Sequence, residues 1–224
     1  MKKFNLIKII GALIGILFIG IGVAWNAANG LGNDPIGLVY DGMRNTLHLT
    51  PGQLGMVTNI INLSLITLLF FIGRRYVNLG TVIYILPYGF SVSLGSKLFE
   101  ALQITTLIGH IGAAVAGCLL IYLGVAIYIT VDIGLDPFTG IVMVIRDKLK
   151  LDFRKVKIAF DITMILLGAL LGGALGIVTI LTALTAGPCI QWLAAVLTAL
   201  TRERGNRSAQ ELSEKHTQEY CSEC

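Results

Sequence analysis

Long apolar runs, separated by short polar breaks, set the pattern of the chain. Runs free of charge occupy residues 9–33, 53–73, 76–96, 101–131 and 162–201. A helix crossing a bilayer takes about 20 mostly apolar residues, and the last run is roughly twice that length. It is expected to fold as two spans with a turn near residues 171–176. The pattern therefore predicts six membrane-spanning helices.

Composition agrees. Of 224 residues, 55% are hydrophobic and 13% charged, whereas a soluble domain carries about a quarter of its residues as charges. An integral membrane protein is the class that remains. Residues 1–25 resemble a signal peptide in having Lys2, Lys3 and Lys8 ahead of an apolar stretch. That stretch is too long for a signal core, and no small-x-small cleavage site precedes Trp25, so a retained first span is expected.

Charge then reports topology. Basic residues collect before span one (Lys2, Lys3, Lys8), between spans two and three (Arg74, Arg75), between spans four and five (Arg146, Lys148, Lys150, Arg154, Lys155, Lys157), and after span six (Arg202, Arg204, Arg207, Lys215). With both termini in the cytoplasm, fifteen of the 17 Lys and Arg residues fall inside, and only Arg44 and Lys97 outside. Six spans thus satisfy the positive-inside tendency. The net charge of +4 is absorbed by this role and gives no reason to expect nucleic-acid binding.

A turn recurs. "GLGNDPIGLV" at 30–39 returns as "IGLDPFTGIV" at 133–142. Gly32, Asp34 and Pro35 match Gly134, Asp136 and Pro137 at a constant offset of 102 (Gly32 to Gly134). The same offset pairs Gly15 with Gly117, Gly22 with Gly124, Arg44 with Arg146, and Asn59 with Asp161. Near the ends of the halves it drifts to 98 (Gly89 to Gly187). Each half reads as span, Asp-Pro turn, short helix, span, span. Three spans is an odd number, so the second half must lie inverted relative to the first, a plan common in secondary transporters. The expected fold is all-α: one transmembrane domain over 1–200, with repeat one at about 6–100 and repeat two at about 105–200, followed by a polar cytoplasmic tail at 201–224.

Aspartate followed by proline is a helix start. The carboxylate accepts from the first unpaired N–H groups, and proline at the first helical position has no N–H to leave unsatisfied. Short helices over 35–48 and 137–150, interfacial or re-entrant, are expected, with Gly32 and Gly134 ending the preceding spans in a left-handed conformation. Thr50-Pro51 and Asp152 are expected to cap the spans that follow.

The segments "LGNDPIGLVYDGMRNTLHLTPGQLG" (31–55) and "NLGTVIYILPYG" (78–89) resemble the YczE/YyaS/YitT family of bacterial membrane proteins. The resemblance extends over most of residues 9–200. It implies a multi-span protein of the bacterial inner membrane and carries no substrate over to particular residues.

Candidate site residues follow from the repeat. Asp34 and Asp136 stand at interrupted segments in corresponding positions, the usual pointer to a transporter site. They read either as caps alone or as helix starts facing a polar ligand. Arg44 and Arg146 read as interfacial anchors or as a symmetric pair for an acidic group. Asn59 and Asp161 are repeat equivalents inside spans two and five, where a polar or ionisable residue is costly and points to function. Asp161 could instead pair with Lys157 one turn before it. Asn62 and Ser64 are candidates for bonding neighbouring helices. Pro87 and Pro188 mark kinks or hinges in the third span of each half.

No enzyme constellation is present: no H-E-x-x-H, nucleophile elbow or phosphate-cradling glycine loop occurs. No cofactor is expected. Cys118 and Cys189 read as packing residues, and Cys221 and Cys224 as the C-x-x-C of a loose tail. The expected partners are the lipid bilayer and a small polar solute or ion, and glycine-rich helix faces offer a route to a homo-oligomer. The sequence is read as a small secondary transporter or permease, with a non-transporting accessory protein that holds a partner as the alternative.

Overall fold

The computed structural model describes residues 6–222, with side chains for residues 6–78 and 80–201. The predicted roles of Lys2, Lys3 and the Cys221/Cys224 pair lie outside the described residues or side chains. Among the described residues the chain is all-helical: α1 (Leu6–Asn29), α2 (Pro35–Thr46), α3 (Leu54–Ile72), α4 (Leu79–Ala101), α5 (Leu107–Val131), α6 (Pro137–Leu149), α7 (Phe153–Leu170) and α8 (Ile177–Ser222). Single 3-10 turns at Pro51–Gln53 and Arg74–Tyr76 lead into α3 and out of it.

Five segments are long and apolar enough to cross a membrane: Leu6–Asn29, Pro51–Ile72, Gly80–Ala101, Leu107–Val131 and Ile177–Thr201. α7 is 18 residues long and carries Arg154, Lys155, Lys157 and Asp161, so it does not count among them. The break expected at 171–176 falls between the end of α7 and the start of α8.

α1 is the centre of the assembly. It packs on α5 and α4, while α5 also packs on α8 and α3 on α4. A Cβ on Gly11 would lie 2.9 Å from the Val131 side chain, and one on Gly22 2.5 Å from the Gly117 carbonyl oxygen. As α1 advances, its partners on α5 recede, so the two helices run antiparallel. The short helices pack across the chain: α2 on α7 and α6 on α3.

Of the two Asp-Pro turns, the first ends the preceding helix as expected and the second does not. After α1, Gly30 and Gly32 take left-handed φ values of +72° and +108°. After α5 the left-handed residue is Asp132, at φ 51°, and Gly134 is not left-handed. Aspartate tolerates this region because its short polar side chain bonds locally. Gly134 answers to space instead: its Cβ would lie 3.1 Å from the Gly80 Cα. Gly32 is likewise crowded, with the Gly176 amide nitrogen 2.8 Å from its Cβ position. Each turn thus leans on the start of the last helix of the other half of the chain.

Candidate functional site

The caps form as predicted at both turns. Asp34 takes an extended conformation, and its Oδ2 accepts from the Ile36 and Gly37 amides at 3.3 Å each. Asp136 Oδ1 accepts from the Thr139 amide at 3.0 Å. Asp152 stands before α7 without a side-chain cap bond. Thr50 is engaged differently, with its amide donating to Gln53 Oε1 at 2.9 Å.

Asn33 braces the first turn. Its amide donates to Thr179 Oγ1 of α8, its Nδ2 to the Val23 carbonyl, and its Oδ1 accepts from the Asp34 amide. The turn is therefore held to both α1 and α8. One oxygen of Asp34, Oδ1, remains buried without a partner. Burial is the largest influence on this carboxyl and raises its pKa; the Gly37 and Ile36 amides and Lys157 oppose that rise, and Asp161 adds to it.

Both turns approach one aromatic cluster, which the sequence reading did not single out. Tyr40, fully buried on α2, packs 5.7 Å from Phe138 of α6 in an edge contact and 5.9 Å from Tyr88 of α4. Tyr84 stacks on Tyr88 at 4.9 Å and meets Tyr128 of α5 at 5.6 Å. Phe138 continues to Phe160 of α7. Burial holds the Tyr40 phenol well above its usual range, and the Asp136 and Asp34 carboxylates push it the same way. The charges of both capping aspartates thus act on one side chain. A partial signal existed: Phe138 directly follows the second Asp-Pro pair, Tyr40 lies one helical turn and a half past Pro35, and "YILPY" supplies two more.

Asn62 belongs to this cluster. It is fully buried, its Oδ1 accepts from the Tyr40 hydroxyl at 3.0 Å, and its Nδ2 has no partner. Asn59 lies one turn earlier on α3, against Gly89 of α4, and its Oδ1 is buried without a partner. Asp161, which the 102-residue offset in the sequence sets against Asn59, forms an ion pair with Lys157 one turn before it on α7. Ser64 is exposed and bonds back to the Ile60 carbonyl of its own helix.

Arg44 and Arg146 stand apart from the cluster. Arg44 binds Asp41 at 2.7 Å, and Asp41, almost wholly buried, also accepts from the Ala174 amide at 2.9 Å. Asn45 Nδ2 and the Thr46 hydroxyl donate to the Gly172 and Leu171 carbonyls. So α2 holds the α7–α8 connection. Arg146 binds Asp147 at 2.6 Å, and Asp147 is also bonded by Arg75 and Tyr76 of the α3–α4 connection. So α6 holds that connection in turn. Asp41 and Asp147 were missed by sequence reasoning, although each lies within three residues of the arginine it pairs with.

No group of three or more His, Cys, Asp or Glu gathers as a metal site among the described residues. The polar atoms near the cluster can accept and donate hydrogen bonds to a small polar group.

A family model described as a family of unknown function, DUF6198, matches residues 6–195. An uncharacterised protein of Haemophilus influenzae is 25% identical over 188 residues, spanning 84% of each chain. No solved structure matches. With its apolar helices matched nearly from end to end, the chain belongs to the DUF6198 family.

Proposed function

We propose that this chain is a small secondary transporter of a bacterial inner membrane, with its site at the junction of two inverted three-span halves. In this reading α7 is the sixth span, its basic end reaching the cytoplasmic headgroups, and both termini are cytoplasmic. The packing supports the repeat. α1 on α4 corresponds to α5 on α8, α2 on α7 to α6 on α3, and α1 meets its own equivalent α5 in antiparallel fashion. The YczE/YyaS/YitT resemblance belongs to the same reading.

One observation carries the transporter reading. Asp34 Oδ1, Asn59 Oδ1 and Asn62 Nδ2 are buried without partners on the elements around Tyr40. Unpaired buried polar atoms cost free energy and are kept where something needs them. Two acceptors and one donor suit a small polar solute or an ion. A protein that only held a partner would turn such groups wholly to caps and ion pairs, as Asp136 and Asp161 are turned. The glycines of α1 support close packing within the chain: Gly11, Gly15 and Gly22 face α5, and Gly20 faces α4. Association of copies through those faces therefore forms no part of the proposal.

The test is thermal unfolding of the purified full chain across a panel of ions and small polar solutes, followed by uptake into proteoliposomes. A ligand raises the midpoint with concentration. Asp34→Asn keeps a capping side chain but removes the charge, and it should abolish the shift without unfolding the protein. Absence of both binding and uptake would favour the accessory-protein reading.

A further inference from the structure

We propose that the cleft between the α3–α4 connection and the end of α6 binds the phosphate headgroup of an anionic phospholipid. The cleft has a volume of about 400 Å³ and is lined by Gly73, Arg74, Arg75, Tyr76, Asp147 and Lys148, among others. Its charge is lopsided. Arg75 and Arg146 both engage the Asp147 carboxylate, which also takes the Tyr76 hydroxyl. Asp147 is thereby saturated, and its partners are fixed. Arg74 and Lys148 also line the cleft and form no ion pair among the described residues. Arg74 instead lies over the Phe70 ring, 4.7 Å from its centroid. Two cations thus face the space without a carboxylate of their own, beside a guanidinium held in place by Asp147 and by the Tyr76 ring.

The surroundings select a lipid over a free anion. The cleft sits where α3, a helix long and apolar enough to span, comes to its end. The last turn of α3 exposes Phe70, Phe71 and Ile72, with Phe71 80% exposed. An apolar ledge therefore runs directly into a basic cleft. A phosphodiester with acyl chains satisfies both: chains along the Phe70–Ile72 ledge, phosphate oxygens toward Arg74 and Lys148. Basic pockets at helix ends on the cytoplasmic side recognise anionic headgroups in this way, and arginine matches phosphate geometry with its planar fork. None of the cleft's lining residues belongs to the Tyr40 cluster, and the site does not depend on the transport reading.

The test is native mass spectrometry of the full chain in neutral detergent, titrated with phosphatidylglycerol or with phosphatidylcholine. The wild type should retain phosphatidylglycerol in preference. Arg74→Gln with Lys148→Gln should lower that retention by roughly thirtyfold, the factor expected from losing two cations beside an anionic headgroup. The control Arg154→Gln with Lys155→Gln removes two exposed cations from the start of α7 and should leave retention unchanged. Equal retention of both lipids, or equal loss in the two double variants, would overturn the site. So would inorganic phosphate displacing the lipid at comparable concentration, because the ledge would then contribute nothing. Unchanged melting temperature in the first double variant checks that any loss is not unfolding.

Discussion

Gly15 and Gly124 meet backbone to backbone across the α1–α5 contact. A Cβ on Gly15 would lie 2.8 Å from the Gly124 carbonyl oxygen, and one on Gly124 2.6 Å from that of Gly15. Seven residues on, Gly22 and Gly117 repeat the relationship. In the proposed repeat Gly15 corresponds to Gly117 and Gly22 to Gly124, so each contact is the other turned over. Neither oxygen can yield without moving a helix. Gly22→Ala or Gly124→Ala should therefore destabilise the protein by about 1–3 kcal/mol, the usual cost of overpacking. Gly112 and Gly187 have open space at their Cβ positions. Gly112→Ala should be neutral or slightly stabilising. Thermal midpoints in one detergent compare the set, and equal losses at Gly22 and Gly112 would refute the contact.

The caps allow a contrast between aspartates that look alike in sequence. Asp136 accepts an amide bond at the start of α6, and Asp152 accepts none at the start of α7. Asp136→Ala should cost about 1 kcal/mol, with Asn at the same position restoring most of it. Asp152→Ala should change stability by less than half that amount. The comparison needs only two melting curves against wild type.

These aspartates show where the sequence was legible. Cap chemistry is local: Asp34-Pro35 and Asp136-Pro137 announce their helices because the side chain bonds amides two or three residues away. The apolar runs are legible for the same reason, since span length is a property of the run itself. The end of α5 misled because either Gly134 or Asp132 can take the left-handed position, and packing against Gly80 decides which is needed where. Tyr40 was hidden because its partner Asn62 is distant in sequence, and Asp41 and Asp147 because, beside a nearby arginine, each also ties down a distant group, the Ala174 amide and Arg75. Asp161 was legible both as an intramembrane charge and as the partner of Lys157, and geometry brings the pair together.

Asp41 and Asp161 should respond very differently to loss of charge. Asp41 is almost wholly buried and holds both Arg44 and the Ala174 amide. Asp41→Ala leaves an arginine and an amide without their acceptor and should cost about 3 kcal/mol or more. Asp161 and Lys157 are an i,i+4 pair with a quarter and a third of their side chains exposed. Asp161→Asn should cost about 0.5 kcal/mol or less. Denaturation of the two variants side by side decides this. A large loss at Asp161 would mean that the pair is far better shielded than its exposure implies.

Tyr40 tests the aromatic cluster. Its hydroxyl is the only bond drawn from the cluster to Asn62 among the described residues, at 3.0 Å. Tyr40→Phe keeps the ring and its contacts with Phe138 and Tyr88 but leaves Asn62 Oδ1 unpaired beside an Nδ2 that already lacks a partner. The expected loss is about 1–3 kcal/mol. Adding Asn62→Leu to Tyr40→Phe should recover part of it, because both polar groups are then gone. Failure of the double variant to recover stability would show that the hydroxyl matters for another partner.

Asp34 sets the last expectation, through pH. Burial raises its carboxyl above the ordinary value of 3.8, against the pull of the Gly37 and Ile36 amides and of Lys157. The folded protein therefore holds this proton more tightly than the unfolded chain does. In the interval between the unfolded and the raised folded value, the folded state binds more protons, so stability falls as pH rises. The stabilisation is complete below the unfolded value and is lost as pH passes the folded one. Asp34→Asn has no such proton, and asparagine can still cap α2. The melting temperature of wild type minus that of Asp34→Asn should then decrease as pH rises from about 3.8, and level off once the carboxyl is ionised. Subtraction removes the titration of the other acids where they act independently of Asp34. A difference that is flat, or that rises with pH, would mean that the amides and Lys157 outweigh burial, and that Asp34 Oδ1 is not an unsatisfied acceptor.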